Sequence, residues 1–210
     1  MNKIYNKSLK EGSKNWLNRH INDKFVQQRE TQGYRSRSAF KLLEMQKKYK
    51  IFNNDSYILD LGCAPGGWSQ ILSKKITKGK ILALDILNMK KIENVEFIMG
   101  DFSEEKNQKK IFEVFNRKID AVISDMAYNT TGNKHLDSYK TGELCLSAMD
   151  FSKKILNKNG VFLSKLFMGS SFKPIEKKAK EYFKKVSFFK PNSSRKDSKE
   201  LYIFCKNVIT

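Results

Sequence analysis

Proline and cysteine are scarce in this chain, with three of each among 210 residues. With so few prolines and 40% apolar residues, a disordered or fibrous polymer is excluded. Cys63, Cys145 and Cys205 stand 82 and 60 residues apart, which gives neither a disulfide framework nor a CxxC metal site. No apolar run approaches the roughly 18 residues that a membrane helix requires. The opening residues, MNKIYNKSLKEGSKNW, lack the apolar stretch of a signal peptide. Only two histidines occur, His20 and His135, and neither belongs to a ligand or triad pattern. The expectation is a cytoplasmic protein of one domain, residues 1–210, with no metal and no membrane partner.

Positive charge is what the chain has in excess. Lys and Arg number 41 against 22 Asp and Glu, a net charge of +19. Residues 1–50 carry 13 basic and 4 acidic residues, and residues 151–210 carry 15 and 4, whereas residues 51–150 carry 13 and 14. A merely lysine-rich composition would raise the charge everywhere. The neutral centre instead argues for a polyanionic partner, nucleic acid ahead of an anionic membrane surface because no amphipathic anchor stands out.

The centre reads as alternating strands and helices. Strands are expected at Tyr57–Leu61, Lys80–Asp85, Val95–Met99, Ile119–Ser124, Val161–Phe167, Val186–Phe189 and Leu201–Lys206. Helix-like segments fall near 67–76, 104–116, 137–157 and 172–184, with Asp137 as N-cap of the third and Asn159-Gly160 as its stop. Such alternation implies an α/β fold with a mostly parallel sheet. The last two strands are joined only by PNSSRKDSKE, so they should pair antiparallel at one edge. Ahead of the first strand, Ser36–Lys50 reads as a helix whose Arg37, Lys41, Glu44 and Lys48 share one face. By itself that stripe reads as a solvated helix side.

The most informative segment is DLGCAPGGW (Asp60–Trp68), directly after a strand and opening a helix. Glycines at such a turn allow tight backbone angles and close approach of a ligand. In open α/β sheets, ligands bind beyond the carboxyl ends of the strands. The pattern G-x-x-x-G-G departs from the G-x-G-x-x-G of dinucleotide cradles, so a nicotinamide oxidoreductase fits poorly. Asp85 ends the second strand, where a carboxylate accepts hydrogen bonds from ribose hydroxyls. Asp101 follows the third strand, placed for an adenine amino group, with Phe102 as an apolar surface beside it.

DLGCAPGGWSQ, followed in order by LALDIL, MGDF and ISDMAYN, resembles the FtsJ/RrmJ-type ribosomal RNA ribose 2′-O-methyltransferases. The resemblance runs from RSRSAFKLLE (35–44) through FLSKLFMG (162–169) to KPNSSRKDSKELYIF (190–204). It implies a Rossmann-like, S-adenosylmethionine-dependent methyltransferase fold, a seven-stranded mostly parallel sheet with an antiparallel edge strand and helices on both faces. It implies S-adenosylmethionine as cofactor and S-adenosylhomocysteine as product. Gly62, Gly66, Gly67, Trp68, Asp85, Asp101, Phe102 and Asp125 then fall at cofactor-binding positions. The family's Lys-Asp-Lys-Glu constellation maps onto Lys41, Asp125, Lys165 and Glu200. One departure is Tyr128, where the family has proline, which leaves the loop after Asp125 less constrained. The implied partner is large-subunit ribosomal RNA, a uridine of the A-loop within the assembled subunit, met by a monomer. Residues 1–50 form a basic helical extension in this reading, and Lys24, Arg29, Arg35, Arg37, Arg195 and Lys196 are the RNA-binding candidates.

Methyl transfer from a sulfonium to a ribose hydroxyl needs alignment of the oxygen and removal of its proton. An unperturbed lysine is only about 0.1% neutral near pH 7.4. Lys165 therefore acts either as a base with a lowered pKa or as an orienting charge, and the sequence leaves both open. A lysine near a strand end can also simply reach solvent. Competing functions are a transfer-RNA or cap ribose methyltransferase, and a non-catalytic RNA-binding assembly factor on the same fold.

Overall fold

Ile58 and Leu59 are adjacent and both completely buried, yet they pack into different cores. The cause is the two-residue period of a strand, which sends neighbours to opposite faces, combined with a sheet covered on both sides. Ile81 and Leu82 part in the same way, as do Val122 and Ile123. Runs such as YILDL and KILALD are mostly apolar at consecutive positions because, apart from the strand ends, neither face meets water.

The computed structural model describes residues 22–128, 133–195 and 197–209. The elements before the sheet are α1 (Lys24–Thr31) and α2 (Ser38–Tyr49). There follow β1 (Tyr57–Leu61), α3 (Gly67–Lys75), β2 (Lys80–Asp85), β3 (Val95–Met99), α4 (Glu105–Phe115) and β4 (Ile119–Ser124). The chain continues with α5 (Lys134–Ile155), β5 (Leu156–Phe167), α6 (Phe172–Tyr182), β6 (Phe183–Phe189) and β7 (Glu200–Val208). The seven strands lie in the order β3-β2-β1-β4-β5-β7-β6. All neighbours are parallel except β7, which runs against both β5 and β6. The antiparallel pairing is at one edge as expected, with the reversed strand one place in from it.

Helices α4, α5 and α6 cover one face through Ile111, Phe115, Met149, Ile155 and Ile175. Helices α2 and α3 cover the other through Leu42, Met45, Trp68, Ile71 and Leu72. This is a Rossmann-like fold. The chain leaves β1 toward β2 and β3, then returns to place β4 on β1's other side. That reversal opens a crevice at the carboxyl ends of β1 and β4.

Strands β1 to β4 coincide with their expected bounds, but α5 does not. Its N-cap is Asn133, whose side chain accepts from the backbone N–H groups of His135 (3.1 Å) and Leu136 (3.3 Å), so Asp137 lies inside the first turn. The helix ends at Ile155, earlier than Asn159-Gly160 suggested. Asn157 explains it: its amide donates to Asp120 (2.7 Å) and its side-chain oxygen accepts from Asn159 N (2.9 Å). These local bonds compete with further helix. The pairing of β4 with β5 then jumps from Ile119↔Leu156 to Ala121↔Val161. Strand β6 also starts earlier than its apolar run, because Lys184 and Lys185 sit on an exposed edge strand that tolerates charge.

Candidate active site

The turn after β1 touches the turn after β4, and glycine is required where they meet. Gly62 has φ +72°, and a Cβ there would lie 2.7 Å from Met126 N and 2.8 Å from its Cα. Gly66, at φ +105°, gives α3 its left-handed N-cap. The two turns border a pocket of about 450 Å³, within the usual range for small-ligand sites.

Gly62, Asp85, Asp101, Phe102 and Asp125 line this pocket, as the sequence reading expected. Ala64, Ile86, Leu87, Leu144 and Tyr128 join them. Asp85 is tied down by two backbone donors, Ala64 N (2.8 Å) and Leu87 N (2.9 Å). Asp101 accepts from Ser103 N (2.8 Å) and from its hydroxyl (2.7 Å). Among the described residues the lining carries three aspartates and no lysine or arginine, although the chain as a whole is at +19. Such a pocket suits a nucleoside with hydroxyl and amino groups and a positive charge. It does not suit a pyrophosphate, and an S-adenosyl cofactor meets each of those conditions.

Gly66, Gly67 and Trp68 do not line the pocket. They are packed behind it: a Cβ on Gly67 would collide with the Ser36 hydroxyl, and Gly66 lies against Met89 and Ile92. Trp68 is buried and donates its indole N–H to Ser38 O at 2.9 Å. Gly67 and Trp68 dock the start of α2 against the glycine turn, and Gly66 packs that turn on the loop after β2.

Asp125 is where the pocket meets the remaining candidates. Its carboxylate pairs with Lys165 Nζ at 3.0 Å, and the Tyr202 hydroxyl donates to the same oxygen at 2.7 Å. Lys165 also donates to the Asp125 carbonyl and is only 8% exposed, so it does not reach for solvent. Lys41, from α2, forms a two-oxygen pair with Glu200 at 2.7 and 2.8 Å. Ser194 donates to Glu200 Oε1 at 2.8 Å. The Lys41 ammonium lies 5.8 Å from the Tyr202 ring. All four residues matched to the family constellation therefore stand together, drawn from α2, the end of β4, β5 and β7.

Burial would push the Asp125 carboxyl up, but Lys165 and Lys41, helped by the Tyr202 hydrogen bond, hold it below the usual carboxylate value. Burial and the Asp125 charge push the Tyr202 phenol well above its ordinary value. Beneath them, burial raises the Asp60 carboxyl to about 7, opposed by a hydrogen bond from Ser69 and assisted by the charges of Asp125 and Asp85.

The stripe on α2 is not a solvated side. Arg37 pairs with Asp23 and donates to Ser193 O, and Glu44 accepts from Asn192 N (2.7 Å) and Ser193 N (2.8 Å). Lys48 lies 4.4 Å from the Phe189 ring. Arg37 and Glu44 hold the segment between β6 and β7, Lys41 holds Glu200 of β7, and Lys48, itself exposed, lies over Phe189 of β6.

A family model described as "FtsJ-like methyltransferase" matches residues 34–208. The chain belongs to this family. It is 50% identical over 194 residues to the "Ribosomal RNA large subunit methyltransferase E" of Pelagibacter ubique, covering 92% of this chain and 96% of that protein. The protein of the same name from Francisella tularensis subsp. novicida is 48% identical, covering 91% and 94%. A Plasmodium falciparum protein assigned as a ribosomal RNA methyltransferase superposes with a TM-score of 0.74 at 35% identity, over 83% of this chain and 98% of that one. A Streptococcus mutans structure holding SAH gives 0.51 at 15% identity, over 80% and 94%, a likeness of fold alone.

In this FtsJ-like chain, the candidates for RNA contact are placed unevenly. Lys24 is exposed, with its ammonium 5.0 Å from the Phe25 ring, and Arg29 pairs with Glu30 at 3.1 Å. Arg195 lies 3.6 Å from Asp23, and Lys196 is outside the described residues. Arg35 is turned inward: its guanidinium donates to the carbonyls of Pro65 (3.3 Å), Lys90 (2.5 Å) and Lys91 (2.8 Å). Sequence reasoning missed that clamp, and it missed Tyr202. The second had a signal, since Glu200 and Tyr202 are two apart in a strand and share a face.

Proposed function

We propose that this FtsJ-like methyltransferase uses S-adenosylmethionine to methylate a ribose 2′-hydroxyl of large-subunit ribosomal RNA, a uridine of the A-loop in the assembled subunit. It does so as a cytoplasmic monomer that needs no metal. The observation that carries the reading is Asp125, which is at once a wall of the cofactor pocket and the partner of Lys165. One carboxylate thereby links the place where an adenosyl cofactor fits to the amine that would meet the ribose.

S-adenosylmethionine, when bound, supplies an electrophilic methyl on a sulfonium and is left as S-adenosylhomocysteine. Asp85 and Asp101 hold the nucleoside through its hydroxyl and amino groups. Lys165, held by the side chain and carbonyl of Asp125, orients the ribose oxygen and takes its proton. Tyr202 fixes the Asp125 rotamer, and Glu200 holds Lys41 as the second cation beside the ring. The names of the relatives and the basic ends of the chain support ribosomal RNA as the substrate.

The test is incubation with methyl-labelled cofactor and unmodified large subunits, followed by mapping of the labelled ribose. The expected result is one labelled A-loop uridine, unaffected by EDTA. Label only in transfer RNA or a cap would move the substrate, and subunit binding without any transfer would make the protein an assembly factor.

A further inference from the structure

At the end of the sheet opposite the cofactor pocket lies an open groove of about 920 Å³. It runs along the amino ends of β1 and β4, where Tyr57 and Asp120 stand. A five- to six-residue strand at about 3.3 Å per residue separates it from the methyl-transfer site by roughly 17–20 Å. Five cations line it: Lys50, Lys78, Arg117, Lys158 and Lys206. None of the five pairs with a carboxylate among the described residues. Elsewhere on this surface ion pairs are common, for example Lys109 with Glu105 at 3.0 Å and Lys180 with Glu176 at 2.7 Å.

Two acids share the groove, and one is already committed. Asp120 accepts from Tyr57 N at 2.8 Å and from the Asn157 amide at 2.7 Å. Asp55 is the other, so the lining keeps an excess of positive charge. Arg117 is seated with its guanidinium 4.3 Å from the Tyr57 ring centroid. This cation–π contact, with a hydrogen bond from Nε to Lys118 O at 3.3 Å, pre-organises the planar group and leaves its terminal nitrogens for phosphate oxygens. The five cations come from all three charge regions of the sequence: Lys50 from the first, Lys78 and Arg117 from the neutral centre, Lys158 and Lys206 from the last. The fold gathers them; the linear tally hides them.

We infer that this groove is a second RNA-binding surface that holds a phosphodiester stretch of the substrate remote from the methylated nucleotide. The inference rests on the ribosomal RNA reading above. An open, polar trench with unpaired cations fits an extended backbone better than an enclosed small molecule. Phosphate contacts of this kind set register without reading bases. A large folded RNA can span both ends of the protein, whereas a short hairpin held at the catalytic end does not reach the groove.

The test compares wild type with the double variant Lys78→Glu, Lys158→Glu, both exposed positions outside the cofactor pocket. Calorimetric cofactor affinity equal to wild type verifies that the variant is folded. The variant is expected to bind the large subunit and long ribosomal RNA about ten-fold more weakly. Its dependence of log affinity on log salt should be shallower by about 1.4–1.8, the loss of two phosphate contacts. Binding of a short A-loop hairpin should change less than two-fold. In wild type, subunit binding should slow acetylation of Lys50, Lys78, Lys158 and Lys206 at least three-fold. Unchanged affinity, slope and acetylation would make the groove an ordinary basic face, and loss of hairpin binding to the same extent as long RNA would make it a general charge effect. Failure of the methyltransferase reading shows instead in wild type, as absence of transfer to any RNA.

Discussion

Lys165 stands directly opposite Tyr202 in the β5–β7 pairing, and the polar tips of both end on one oxygen of Asp125. Two neighbouring strands thus aim an amine and a phenol at the turn after a third. The arrangement separates charge from base chemistry experimentally. Lys165→Arg keeps a cation beside Asp125 but cannot accept a proton. It should fold normally and lose roughly 10²–10⁴-fold in single-turnover methyl transfer. Fast transfer by the arginine variant, with a flat pH profile, would leave Lys165 as an orienting charge.

Tyr202→Phe removes a hydrogen bond to a charged oxygen without changing the packing of the ring against Trp68. The loss should lower stability by about 1.5–3 kcal/mol, read by chemical denaturation. It should also slow methyl transfer, because Asp125 is freed to rotate. Retained rate with reduced stability would assign Tyr202 to the core alone.

Asp60 and Asp125 should respond to pH in opposite senses. Asp60 has a folded pKa of about 7, above its unfolded value of about 3.9. Its contribution is greatest below the unfolded value and falls as pH rises through 7, by about 4 kcal/mol in all. Asp125 is depressed, so its contribution is present above the ordinary carboxylate range and disappears only in acid. Asp60→Asn keeps an acceptor for Ser69 and should flatten the decline between pH 4 and 7. Denaturation midpoints measured across that range check it; an unchanged slope would show that Asp60 is ionised without penalty.

Asp85→Asn puts an amide donor against one of two backbone N–H groups. Cofactor affinity should fall by about 1.5–3 kcal/mol, the scale for a hydrogen bond to a charged group. Calorimetry showing wild-type affinity would remove Asp85 from the cofactor site.

Arg35→Lys replaces a fork that reaches three carbonyls with a single ammonium. Since two of those carbonyls lie in the loop after β2 and one in the glycine turn, cofactor affinity should drop several-fold. The salt slope of RNA binding should stay unchanged, whereas Lys24→Ala with Arg29→Ala should reduce it. The reverse pattern would return Arg35 to the RNA surface.

How much of this was legible in the sequence depended on the range of the interactions. Strands β1, β2 and β4 are read correctly because apolar runs buried on both faces are local signals, and β3, half-exposed at the sheet edge, because its short apolar run is bounded by turn residues. The end of α5 is not, because Asn157 bonds to Asp120, a partner 37 residues away. The motif order located Lys41, Asp125, Lys165 and Glu200, but only β5–β7 register brings Tyr202 to Asp125. The α2 stripe looked like a solvated face because its partners, Ser193 and Glu200, arrive more than 140 residues later in the chain. Gly66, Gly67 and Trp68 share a motif with pocket residues, yet the helix turn carries them behind the wall.

β7 follows β6 in the chain but lies between β5 and β6 in the sheet. While the chain is being synthesised, β6 therefore has no strand to pair with until β7 emerges and slots in beside it. The same strand delivers Glu200 and Tyr202. Before it docks, Lys41 has no carboxylate and Asp125 lacks its phenol, although the glycine turn and the Asp85 side of the pocket are already encoded upstream. The last strand to emerge thus completes the methyl-transfer side of the site, whereas the Asp85 and Asp101 side of the pocket is built from strands that precede it.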